Sequence, residues 1–74
     1  MVVVKSQARG NRARAEIYDC VFRHWRTGQA APTMREIAAE VSLSVSTVHR
    51  HVGILIELGS LKGKGRTLRP RADV

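Results

Sequence analysis

A chain of 74 residues has room for one domain, near the lower size at which a hydrophobic core holds without metal or disulfide staples. Its single cysteine excludes an internal disulfide framework and fits a reducing compartment, and Met1 to Val4 is too short an apolar run for a signal peptide. With no apolar stretch long enough to span a bilayer and a formal net charge of +7, the composition points to a cytoplasmic protein with a polyanionic partner and no membrane.

In chain order, residues 1–10 read as a flexible basic arm. Val2 to Val4 have β propensity, but Lys5 to Asn11 breaks any regular pattern, so this stretch is expected to be extended or disordered. It could order on a nucleic-acid backbone, or Val2 to Val4 could add a strand to a partner's sheet edge. Asn11 is the expected cap of a first helix, whose buried face would be Ile17, Val21 and Trp25 at i, i+4 and i+8. Tyr18 and Phe22, also at i and i+4, read as core packing rather than a stacking platform for single-stranded bases. Cys20 reads as a small apolar residue, and His24, His49 and His51 are not at metal-ligand spacing with it. Arg23 and Arg26 favourably oppose the helix dipole, and Gly28 is expected to end the helix. Pro32 then holds Ala31 extended, in a stretch that could pair as a short third strand.

Residues 33–59 carry the most information. Thr33 followed by Glu36 matches the S/T-x-x-E capping box, and Ile37, Ala38 and Val41 recur on one helical face. Ser42-Leu43-Ser44 interrupts the pattern before Val45, Val48, Val52 and Leu55 resume it. Two amphipathic helices separated by three residues must cross and share a core, which is the layout of a helix-turn-helix. With Ser44 as cap of the second of these helices, Ser46, Thr47, His49, Arg50 and His51 are expected to project away from Val48 and Val52. All can hydrogen-bond; the guanidinium of Arg50 fits guanine O6 and N7, and the helix N-terminus favours a phosphate. Arg35, near the start of the preceding helix, and Thr33 are candidate phosphate contacts.

Gly59 suits the left-handed residue beyond a helix end. Beyond it, two brief extended segments flank Gly63-Lys64-Gly65-Arg66 and read as a β-hairpin carrying Lys62, Lys64, Arg66 and Arg69. A basic hairpin after such a helix is a wing, able to follow the backbone or reach the minor groove. Charge is unevenly distributed: residues 1–14 and 62–74 each carry a net +4, while the segment between them is at −1. Basic ends around a balanced centre suggest flanks that hold phosphates beside a helix that reads bases.

Together these residues, above all the entry Pro32-Thr33-x-x-Glu36-Ile37-Ala38, the Leu-x-x-Leu-Gly ending at Gly59 and the hairpin with Gly63 and Gly65, resemble the winged helix-turn-helix DNA-binding domain of the LexA repressor over roughly residues 11–70. The resemblance implies a mainly α, three-helix winged fold over 11–70 with a tail at 71–74. It also implies that Ser44, Ser46, Thr47, His49 and Arg50 face an operator while the hairpin lies on the backbone. LexA carries acidic residues at the positions of His49 and Arg50, so a different base sequence would be read. The likeness includes no counterpart of the self-cleaving protease domain. The expected function is therefore that of a sequence-specific regulator of transcription on double-stranded DNA, a repressor of bacterial or phage origin, acting as a homodimer or as paired copies on two half-sites. Ile54 and Ile56 are candidates for the dimer surface, with core packing the simpler role for either. An architectural DNA-bending role and a winged-helix module for protein or RNA are the alternatives. No His or carboxylate is spaced to activate the hydroxyls and no helix follows the Gly63-Lys64-Gly65 turn, so neither an enzyme nor a cofactor or metal site is expected.

Overall fold

The computed structural model describes residues 5–71, with side chains from Gly10 onward. Three helices, α1 (Lys5–Arg26), α2 (Met34–Val41) and α3 (Val45–Glu57), lead into strand β1 (Leu61–Lys62), a 3₁₀ turn (Gly65–Thr67) and strand β2 (Arg69–Pro70). The mainly α architecture with one hairpin is as the sequence predicts. Residues 1–4 of the expected arm and 72–74 of the expected tail lie outside the described residues.

The start of α1 is a correction. The helix begins at Lys5 rather than behind a cap at Asn11, so the backbone from Lys5 to Gly10 is helical instead of extended. Lys, Gln, Ala and Arg are all good helix formers, and the roughly 1 kcal/mol cost of Gly10 is carried by a helix of 22 residues. Asn11 sits inside the helix, where its Oδ1 accepts from Arg14 Nη2 at 2.6 Å. At the other end Gly28 takes a left-handed φ of 76°, and its N–H and that of Gln29 donate to Trp25 O (3.1 Å) and His24 O (2.9 Å), ending α1 where the sequence places the stop.

Ile17, Cys20 and Val21 from α1, Ile37 and Ala38 from α2, and Val48, Val52 and Leu55 from α3 are buried together, closed off by Leu61 and Leu68 of the hairpin. Trp25 is not part of this core; it is 44% exposed and packs against Phe22, ring centroids 5.7 Å apart. Steps of i+4 drift by about 40° each on a helix of 3.6 residues per turn, so Trp25 points about 80° away from Ile17. His24, seven residues from Ile17, stays closer to that direction and is half-buried, with Nδ1 2.9 Å from the carbonyl of Cys20. Val45 is likewise 44% exposed, because it opens α3 one turn before Val48, the first residue of that helix to enter the core.

The α2–α3 turn is tight because Ser42 adopts a left-handed conformation, φ 60° and ψ 45°. Its N–H and that of Leu43 both return to Ala38 O, which ends α2 and lets Ser44 cap α3 two residues later. The sheet has two antiparallel strands, Leu61 opposite Pro70 and Lys62 opposite Arg69. The stretch before α2 supplies no third strand; Pro32, buried directly before the Thr33 cap, has no N–H to give a ladder.

Candidate nucleic-acid interface

The N-terminus of α3 is built by its cap. Ser44 is extended at φ −73° and ψ 155°; its Oγ accepts the Thr47 N–H at 3.2 Å and donates to Thr47 Oγ1 at 2.8 Å. The Ser44 hydroxyl is thus engaged within the helix, while Thr47, an acceptor here, keeps its own proton to donate outward. Ser46 Oγ lies 3.4 Å from Ser44 Oγ, completing a small hydroxyl cluster over the first turn. Ser44, Val45, Ser46, His49, Arg50 and Gly53 are exposed and Thr47 is half-buried. Val45 is the residue that periodicity misplaces, since hydrophobic spacing identifies a face but not where along the helix the core begins.

His51 does not join this face. It is only 8% exposed, three residues after Val48 and four before Leu55, and therefore on the inward side of α3. Its Nδ1 lies 3.5 Å from Arg14 Nη1 of α1. Burial, then the nearby Arg14 and Arg50 charges, push its pKa below the usual histidine value, so it is a neutral core residue rather than a group offered to a ligand.

Around α3, Thr33 forms the full capping box: its Oγ1 accepts from the Glu36 N–H at 3.1 Å and Glu36 Oε1 accepts from the Thr33 N–H at 2.8 Å. Arg35 is exposed in the first turn of α2. Lys62, Lys64, Arg66 and Arg69 are all exposed on the hairpin, with Lys62 and Arg69 facing each other across its register. The hairpin tip is tied by Thr67, whose Oγ1 accepts the Lys64 N–H at 3.1 Å and donates to Lys64 O at 2.8 Å. Among the described residues Arg23 is bound to carboxylates, pairing with Asp19 at 2.9 Å and with Glu40 and so linking α1 to α2. Arg35, Arg50 and the four hairpin cations have no carboxylate partner there. Glu57 is the only acid on α3, in its last turn.

This arrangement of a capped second helix, a left-handed turn, a third helix with an exposed hydrogen-bonding start, and a basic hairpin has a counterpart among known families. Residues 30–62 match the model of a family described as winged helix-turn-helix DNA-binding. The fold is a winged helix-turn-helix. The matched stretch runs through α2, the turn, α3 and the first strand of the wing, so it contains Thr33, Arg35 and every expected α3 contact, while α1 and the rest of the wing lie outside it. Comparisons with curated proteins and with solved structures give no match. Elsewhere in the winged helix, burial and the adjacent Glu40 carboxylate push the Cys20 thiol up to about 12, leaving it protonated and unreactive. The described residues contain no cluster of His, Cys, Asp and Glu that could hold a metal ion, and no helix long and apolar enough to cross a membrane.

Proposed function

We propose that this winged helix is a sequence-specific regulator of transcription that binds double-stranded DNA, with the first half of α3 in the major groove and the wing from Lys62 to Arg69 on the flanking backbone. The observation that carries this reading is an exposed run of Ser46, His49 and Arg50 with no carboxylate on α3 before Glu57, beside four exposed wing cations that have no acidic partner among the described residues. Arg50 is the candidate for a bidentate contact with guanine, Ser46, Thr47 and His49 for single hydrogen bonds, and Val45 for apolar contact with a thymine methyl. The Ser44 cap orients the helix N-terminus toward a phosphate, and Thr33 and Arg35 at the start of α2 and Lys62, Lys64, Arg66 and Arg69 of the wing are the backbone contacts.

Repression by occluding a promoter, in a bacterial or phage setting, is the consequence suggested by the likeness to the LexA domain. One short module makes few base contacts, so we infer two copies on adjacent half-sites. Ile56 and Leu58, exposed at the end of α3, are the apolar residues available for that contact, whereas Ile54 is half-buried.

Selection of bound sites from random duplexes tests the reading. A repressor of this kind enriches one palindrome or direct repeat. Binding that is tight but without any consensus would favour an architectural role, and no binding at low ionic strength would overturn the proposal.

A further inference from the structure

Gly53 stands in the middle of α3, three residues after Arg50 and four after His49. Glycine is the least favourable ordinary residue in a helix interior. Four of the other five glycines are required by the backbone: Gly28, Gly59, Gly63 and Gly65 all have positive φ, and a Cβ on Gly63 would meet Thr67 O at 2.3 Å, while Gly10, in the second turn of α1, has Arg14 Nη1 3.4 Å from a Cβ built there. Gly53 has neither reason. Its φ is helical and a Cβ built on it meets nothing within 4 Å, so no neighbour in the folded protein requires the missing side chain.

Its position supplies the missing reason. At 100° per residue Gly53 falls beside Ser46, His49 and Arg50 on the outward face of α3, opposite the buried Val48, Val52 and Leu55. Upstream along that face run the hydroxyls, imidazole and guanidinium offered to bases, and downstream is Glu57, whose charge would repel phosphate. A helix leaving the major groove passes under the sugar-phosphate ridge that borders it, and there a bare Cα allows the two backbones to come closer than any side chain would.

We infer that Gly53 is the close-approach point of α3, the place where the phosphodiester ridge of a DNA strand packs directly on the helix backbone, so that its absent side chain sets how deeply Ser46, His49 and Arg50 reach the bases. This rests on the DNA-binding reading above and adds to it a determinant of docking depth outside the hydrogen-bonding set.

The test uses the whole chain with Gly53→Ala and Gly53→Leu, measuring thermal melting and fluorescence anisotropy on the duplex most enriched from a random 30-base-pair pool. The open space and better helix propensity predict that Gly53→Ala melts higher than wild type, by about 4 °C. Its affinity for the duplex nevertheless falls roughly tenfold, and that of Gly53→Leu falls further. The opposite signs of stability and affinity separate this role from a merely structural one. Gly53→Ala binding the duplex as tightly as wild type overturns the inference while leaving DNA binding intact. Wild-type protein that binds no duplex overturns both.

Discussion

Two glycines of the wing differ in what they permit. Gly63 has φ 87° and a Cβ there would lie 2.3 Å from Thr67 O, whereas Gly65 has φ 58° with nothing within 4 Å. Gly65→Ala carries only the cost of a left-handed alanine, about 1 kcal/mol, while Gly63→Ala adds a backbone clash and costs about 2 kcal/mol or more. Urea unfolding of the two variants checks the ordering; equal losses would mean that the hairpin tip yields freely. His51 shows a different dependence on its surroundings. It is buried and faces Arg14 of α1, with Arg50 beside it on α3, so its proton affinity is lower folded than unfolded. The unfolded chain therefore binds more protons in the window below about pH 6.5, and stability present above that value is lost as pH falls toward the depressed folded pKa. The urea midpoint should decline between about pH 6.5 and 5 in wild type and decline less in His51→Gln, with parallel profiles ruling His51 out as the source.

At the scale of elements, the helix-turn-helix was legible because its signals are local. Thr33 and Glu36 form the capping box their spacing predicts, Ser44 caps α3, and Gly28 and Gly59 take left-handed conformations at helix ends. The left-handed Ser42 gives no such signal, since serine seldom occupies that region and only the closure of the turn demands it. Misplaced residues share one cause: which stretch of a helix is covered depends on its neighbours. That is why Trp25 and Val45 stand outside a core that periodicity assigned them to, and why His51, polar by type, lies inside it. The extra turns of α1 before Asn11 were hidden by Gly10 and by a charge pattern that also suits an open chain. For the proposed interface the two elements have separable roles. Arg50→Ala should cost roughly 1 to 3 kcal/mol and relax preference at one base pair, whereas Lys64→Ala or Arg66→Ala should weaken binding to all sequences and reduce the salt slope by about one unit each. Anisotropy titrations on matched and mismatched duplexes over a range of salt concentrations separate these outcomes, and an Arg50→Ala loss that is equal for every sequence would remove Arg50 from base reading.

Across the whole molecule, the wing is part of the fold as well as of the proposed interface. Leu61 and Leu68 are 1% and 4% exposed within the helical core, and Pro70 of β2 is buried too, so the hairpin's apolar side closes the domain while its cations face outward. A chain of 74 residues has a stability of about 4 to 11 kcal/mol, and a buried leucine truncated to alanine costs about 2 to 5 kcal/mol. Leu68→Ala should therefore remove a large share of the total, lowering the urea midpoint of the helical circular-dichroism signal although no helix is mutated. Lys64→Ala, three residues beyond Leu61 on the exposed tip, should leave that midpoint within error and act only on DNA binding and its salt dependence. The pair distinguishes a wing that holds the core from one that merely hangs on it: if Leu68→Ala unfolds at the wild-type midpoint, the hairpin contributes nothing to the helices, and its two roles are independent after all.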